Sequence, residues 1–212
     1  MSPNIFNVGR DEGLKEGLEK AGNILSGGGA VAFPTESFYG LGVNATNEKA
    51  VQRLFAIKKR RGDHPVLILI PTREMLDQYV ASVPNIANKL IKRFWPGGLT
   101  MVFEAGPNTP TSLTAGTGKI GVRVSSHPIA TGLTLNAGLP ITGTSANVSG
   151  GSACIKAEEV FRSLGNTVDL ILDGGETQGG KGSTILDVTV NPPRVLREGM
   201  VGREDLNAFI SV

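Results

Sequence analysis

The sequence has one cysteine, two histidines and few rings: aromatic residues are 5% of its 212 positions. A lone Cys154 has no partner for an internal disulfide. With only His64 and His127, no ligand cluster falls at zinc spacing, so any metal would be held by carboxylates or phosphates. Long apolar runs are missing too. The longest aliphatic stretch, Val66 to Ile70, is far short of the ~20 residues that cross a bilayer, and the opening MSPNIFNVGRDEG carries no apolar signal region. A soluble, intracellular (cytoplasmic) protein is expected. Neither sign of charge dominates: 21 basic and 19 acidic side chains leave a net +2, too balanced for a domain that coats nucleic acid. Any charge that matters for function is therefore local.

Glycine is abundant. The 29 glycines are about 14% of the chain against a typical ~7%, which implies tight turns and close backbone approaches. Apolar residues make up 40% and charged ones 19%, a globular composition. The length suits one compact unit, and no repeat or linker marks a boundary, so residues 1–212 are read as a single domain.

Periodicity sets the class. Leu14, Leu18 and Leu25 share a helical face between Asp11 and Leu25, and Gly27-Gly28-Gly29 stops the helix before a strand at Ala30 to Phe33. Asn47 caps a helix carrying Val51, Leu54 and Phe55, and the same stripe continues to Lys58, placing an ammonium where a hydrophobe is expected. Val66 to Ile70, bounded by prolines, reads as a strand buried on both faces. Helical patterns follow at Arg73 to Val80, Asn85 to Phe94, Ile129 to Ala137 and Lys156 to Leu164. Strand patterns occur at Leu99 to Glu104, Lys119 to Val124, Pro140 to Thr144, Val168 to Asp173, Thr184 to Thr189 and Arg194 to Leu196. Interleaved elements of this kind predict an α/β (α+β) protein with a twisted, mixed, open sheet flanked by helices.

Two glycine motifs are rejected on context. Gly116 to Gly121 fits G-x-G-x-x-G, but a strand follows where the dinucleotide fingerprint needs a helix. Gly175 to Ser183 resembles a phosphate-binding loop with Lys181 in place, but Gly182 stands where Ser or Thr holds magnesium, and a strand follows.

The densest charge is Lys58-Lys59-Arg60-Arg61. It reads either as a helix C-terminus whose dipole favours cations or as an anion site, with Arg60 offering a planar fork to phosphate. The position of Lys58 on the apolar stripe favours a partner for it. Thr144 to Gly150 is a polar loop after a strand with no base near its hydroxyls, so Ser145 reads as a hydrogen-bond donor to an anion rather than a nucleophile. Gly182-Ser183-Thr184 is similar, and Arg123 and Arg197 each close a strand. His64 and His127 precede proline and mark turns. Trp95 is a packing anchor, and Cys154 carries no chemistry.

Taken in order, VAFPTESFYGLGVNA, FAIKKRRGDHPVLILI, FWPGGLTMVFE, LTAGTGKIGVRVSSHPIA, ITGTSANVSG, VDLILDGG, GSTILDVT and VLREG resemble the threonylcarbamoyl-adenylate synthases, or YrdC-like domains. The likeness spans about Ala30 to Gly199, in a short form without the extra C-terminal domain of longer relatives. It implies a twisted open sheet around a large basic concave cavity. The implied activity joins ATP, with Mg2+, to L-threonine and bicarbonate, giving L-threonylcarbamoyl-AMP and pyrophosphate. The product would feed a threonylcarbamoyl transferase system that makes N6-threonylcarbamoyladenosine in tRNA. The K-x-R and S-x-N signature falls on Lys58, Arg60, Ser145 and Asn147, which the resemblance assigns to the nucleotide phosphates, Lys58 and Arg60 as the catalytic cations. Thr114 and Arg197 match nucleotide-side positions, Thr35 and Ser183 match threonine-side positions, and Arg123 matches either the site or its wall.

The chain departs from the family pattern at Arg61, Leu69, Gly182 and Ala153-Cys154-Ile155, which bears on pocket shape. The alternatives to this activity are a tRNA or double-stranded-RNA binding module without chemistry, and a carbamoyl-transfer or nucleotide-binding branch of the same fold.

Overall fold

Neighbouring residues of one short segment pack into different parts of the interior. Val31 and Phe33 join one apolar cluster while Ala30 and Ala32 join another. Side chains alternate across a strand, so the segment is a strand covered on both faces. The computed structural model describes residues 5–9, 11–62 and 64–210. In it this strand is β2 (Val31–Pro34), preceded by β1 (Ile5–Asn7) and α1 (Asp11–Ser26). Next come β3 (Tyr39–Gly42), α2 (Glu48–Ile57), β4 (Ile68–Leu69), α3 (Asn85–Phe94) and β5 (Leu99–Glu104). They are followed by α4 (Thr111–Thr114), β6 (Lys119–Arg123), α5 (Pro128–Ala137), β7 (Ile141–Thr142), β8 (Thr144–Ser145) and α6 (Ala157–Leu164). The chain ends with β9 (Leu170–Asp173), β10 (Thr184–Asp187), β11 (Arg194–Arg197) and α7 (Arg203–Asn207).

The expected mixed open sheet is present as two sheets. One runs β1-β9-β2-β3-β8, the other β11-β10-β5-β6-β4-β7. Both mix parallel pairs such as β2 with β9 and β4 with β6 with antiparallel pairs such as β2 with β3 and β5 with β6. The chain passes from the second sheet to the first within 141–145, where β7 pairs with β4 and β8 pairs with β3. Helices α1 and α5 lie together over one face of the first sheet, and Leu18 of α1 fills the space above Gly132 of α5, where a Cβ would lie 2.8 Å from the Leu18 Cδ1.

Local rules hold at most boundaries. The Asn47 side chain accepts the Ala50 amide at 3.2 Å and starts α2. His127 does the same for α5 through Nδ1 and the Ile129 amide, with Pro128 at the first helical position. Val66, Ile68 and Ile70 belong to one cluster and Leu67 and Leu69 to the other, as a strand buried on both faces requires, although only Ile68–Leu69 is paired. Trp95 is the expected anchor, its indole donating to the Leu99 carbonyl. The Arg73 to Val80 pattern forms a tighter 3₁₀ helix over Arg73–Gln78. Tyr39 to Gly42 forms β3, because its pairing with β2 and β8 overrides the two glycines. Among the described residues no helix is long and apolar enough to cross a membrane.

Candidate active site

The two sheets face each other across a cavity of about 790 Å³, within the range of small-molecule sites. Its floor is one face of the second sheet. Pairing of β5 with β10 and β6 sets Thr100 opposite Ile185, and sets Val102 opposite both Asp187 and Gly121. The period of two then brings Lys119, Gly121 and Arg123 of β6 to the same face. The opposite wall is the β2–β3 turn, with Thr35 and Ser37. A second hollow of about 600 Å³ holds Lys58 and Asn147 and shares Arg60, His64, Thr144 and Ser145 with the first.

Lys58 caps the C-terminus of α2 and is buried. Its Nζ donates to the carbonyl oxygens of Ser145 at 2.5 Å and Asn147 at 2.8 Å. The apolar stripe that carried it inward thus delivers it to the Ser145–Asn147 turn. Burial, with a smaller push from the Arg60 charge, pulls its pKa down to about 8. Arg60 lines both hollows and donates to the Pro65 carbonyl at 3.2 Å. The Asn147 amide donates to the carbonyls of Val148 and Gly151, which closes the turn; its buried Oδ1 has no hydrogen-bond partner among the described residues.

At the other side, Arg197 of β11 donates from Nε and Nη2 to the Ser183 carbonyl, and from Nη2 to the Ser183 hydroxyl at 3.2 Å. Ser183 also shares a 2.8 Å hydrogen bond with Thr100 across the floor. Burial, then the nearby Arg123 charge, lowers the Arg197 pKa, so two guanidinium groups share this end of the cavity. Arg123 pairs with Glu36 and donates to the Gly97 carbonyl. Thr35 lines the wall and donates to the Phe38 carbonyl at 2.7 Å.

Arg60, Arg197, Thr35, Ser145 and Ser183 therefore meet in one cavity, and Lys58 and Asn147 lie in the adjoining one. Thr114 stands apart: its buried hydroxyl donates to the Thr111 carbonyl within α4, and it lines neither hollow. Its neighbour Thr117, hydrogen-bonded to the Thr114 carbonyl, lines the cavity instead. His64, read from sequence as a turn residue, lines both hollows. Among the lining residues that the sequence does not single out are Ser37 of the wall and Lys119 and Asp187 of the floor. The last two were findable, since alternation from Arg123 back to Lys119 and from Ser183 on to Asp187 puts them on the floor. Cys154 is buried, its thiol on the Ala146 carbonyl.

Comparison with known proteins shows the family to which this fold belongs. The Sua5/YciO/YrdC family profile, described as telomere recombination, matches residues 23–199. A Pyrococcus abyssi protein named threonylcarbamoyl-AMP synthase is 40% identical over 190 residues, 90% of this chain and 56% of its own length. The chain thus spans little more than half of that relative. The crystal structure of P. abyssi Sua5 complexed with L-threonine superposes with a TM-score of 0.94 at 38% identity, covering 97% of this chain and 60% of that one. Escherichia coli YciO superposes with a TM-score of 0.86 at 32% identity, covering 99% of this chain and 100% of its own.

Proposed function

Because the chain belongs to the Sua5/YciO/YrdC family, we propose that it is an L-threonylcarbamoyl-adenylate synthase, taking ATP, L-threonine and bicarbonate to L-threonylcarbamoyl-AMP and pyrophosphate. The observation that carries this reading is the meeting of Arg60 and Arg197 with the hydroxyls of Thr35, Ser145 and Ser183 in a single cavity. A triphosphate needs the cations, and a small hydroxylated amino acid suits the hydroxyls.

The chemistry requires no protein nucleophile. The threonine amine and bicarbonate condense to a carbamate with loss of water; a carbamate oxygen attacks the α-phosphorus and pyrophosphate leaves. Positioning and neutralisation of charge on phosphate oxygens supply the acceleration. Arg60 and Arg197 provide that charge, and Lys58 provides it while holding the turn that presents Ser145 and Asn147. Thr35 and Ser183 orient the amino acid. Among the described residues no group of three or more His, Cys, Asp or Glu could hold a metal; the magnesium of this reading would enter with ATP as part of the substrate and would help to neutralise its phosphate charge. The product's mixed anhydride is labile, which fits delivery to a threonylcarbamoyl transferase system acting on tRNA in the cytoplasm. The whole chain, residues 1–212, acts as one domain in this reading.

The test is direct. Purified protein is incubated with ATP, magnesium and bicarbonate, with and without L-threonine, and the adenylate and pyrophosphate are sought by mass spectrometry. Threonine-dependent formation of both is expected; ATP turnover indifferent to threonine overturns the assignment. An RNA-binding role without chemistry would instead give salt-sensitive RNA affinity and no nucleotide turnover.

A further inference from the structure

The two residues read as receiving the amino acid belong to different sheets. Thr35 stands in the turn between β2 and β3 of the first sheet, and Ser183 stands just before β10 of the second. No pairing between their own strands fixes the distance between them across the cavity. An ion pair joins the two sides instead. Nη2 of Arg123, the last residue of β6, lies 2.5 Å from Oε1 of Glu36, the residue after Thr35. Their side chains are 7% and 11% exposed, and among the ion pairs between described residues this is the one with both partners nearly buried.

The same segment grips the carboxylate further. The Ser125 hydroxyl donates to Oε2 at 2.7 Å, and the Ser126 amide and hydroxyl each donate to Oε1 at 3.1 Å. Arg123 is held in turn by the Gly97 carbonyl, which accepts from its Nε at 2.9 Å. Burying two charges costs desolvation, and a well-packed apolar pair is often as stable. What the charged pair adds is direction, because a guanidinium meets a carboxylate within narrow limits of distance and angle. Thr35 needs that direction. Its hydroxyl proton is committed to the Phe38 carbonyl at 2.7 Å, so it meets a substrate as an acceptor, aligned only while the turn keeps its place opposite Ser183. Glu36 also balances the charge of Arg123, which lies near the Arg197 guanidinium that holds Ser183.

We propose that Glu36 is a positioning residue for the amino-acid substrate: by holding Arg123 and the 125–126 link it fixes the distance between Thr35 and Ser183, and so sets how tightly the cavity takes L-threonine. The inference rests on the reading of the cavity as a threonylcarbamoyl-adenylate site. Glu36 lines neither hollow, so it acts through Thr35 and Arg123 rather than by touching substrate.

The test compares wild type with Glu36→Gln, which keeps the shape and loses the charge, and with Ser125→Ala, which removes one hydrogen bond and keeps the ion pair. Initial rates of pyrophosphate release are taken well below each variant's melting temperature, with L-threonine and ATP varied in turn. In Glu36→Gln, KM for L-threonine rises about tenfold, the equivalent of one misaligned hydrogen bond, while KM for ATP stays within about twofold. Ser125→Ala raises the threonine constant alone, by about threefold. A chain that is merely destabilised has fewer active molecules and unchanged KM values. An unchanged KM for threonine in the two variants therefore overturns the inference, as does an equal rise for ATP. Should Glu36→Gln fail to fold, Ser125→Ala decides by the same criteria. Titration calorimetry with L-threonine keeps the two readings apart. If wild type takes up none, the reading of the cavity fails and the inference with it; if wild type and Glu36→Gln bind it equally, only the role of Glu36 fails.

Discussion

The Lys58 ammonium lies 2.5 Å from the carbonyl oxygen of Ser145, 87 residues further along the chain. The cation that the sequence marks for phosphate is therefore also the tie that fixes the turn carrying Ser145 and Asn147. Charge and shape at this end of the cavity change together.

That double role gives a pH dependence. The Lys58 pKa is drawn down to about 8 by burial and then by Arg60, so the ammonium is lost as pH rises through that value. We expect kcat/KM for ATP to fall above pH ~8, by about tenfold per unit at the limit of a single required proton. Lys58→Arg, charged throughout, should remove this limb even if its overall rate is lower. For stability the sign is opposite: the folded pKa lies below the unfolded 10.5, so the buried charge costs stability below pH ~8. That cost is relieved as pH climbs towards 10.5. Denaturant unfolding of wild type against Lys58→Met across pH 7–10 checks it, and a flat difference would exclude the shift.

Asn147→Asp should damage the turn without changing its size. The wild-type amide donates to the Val148 and Gly151 carbonyls at 2.9 and 2.7 Å, and a carboxylate would face both with no donor. Facing these part-buried acceptors with a carboxylate that cannot donate costs about 1–3 kcal/mol, so melting should drop by roughly 5 °C and threonine-dependent pyrophosphate release should be lost.

Glu36 anchors Arg123 from a nearly buried position and accepts from the Ser125 hydroxyl at 2.7 Å and the Ser126 amide at 3.1 Å. Burial raises its pKa, but the Arg123 charge and these hydrogen bonds outweigh burial and hold the carboxyl below its ordinary 4.5. A lowered carboxyl pKa contributes stability above pH 4.5 that is lost as pH falls through the folded value. Glu36→Gln should be destabilised by about 3 kcal/mol at pH 7, and the gap should close on acidification. A gap independent of pH would refute the ion pair's part in it.

Gly199→Ala should disable the site without touching its chemistry. A Cβ at this position would overlap the Gly182 carbonyl oxygen and sit 2.5 Å from the Ser183 carbonyl carbon, backbone that cannot swing away. We expect lower melting and slower turnover together. Gly62→Ala, with no heavy atom of the described residues beyond its chain neighbours within 4 Å of the new carbon, should leave melting within about 1 °C.

The sequence alone was enough wherever a few neighbouring residues decide the outcome. The Asn47 cap, the stripe that buries Lys58, the alternation through Val66 to Ile70 and the rejection of both glycine motifs each depend on local periodicity, and each holds in the fold. Sequence order also located the segments that carry Thr35, Arg60, Ser145, Ser183 and Arg197. Other features depended on pairing between distant segments. β3 forms through two glycines because β2 and β8 supply its hydrogen bonds, and one sheet becomes two because 141–145 changes partners. Thr114 turns into α4 and leaves the wall to Thr117, since a hydroxyl one turn from a carbonyl bonds locally. Lys119 meets Asp187, 68 residues away, only through the register of β5 with β6 and β10. Periodicity tells which face a residue takes; which other residues share that face is settled by tertiary register, and on that register the cavity and its chemistry depend.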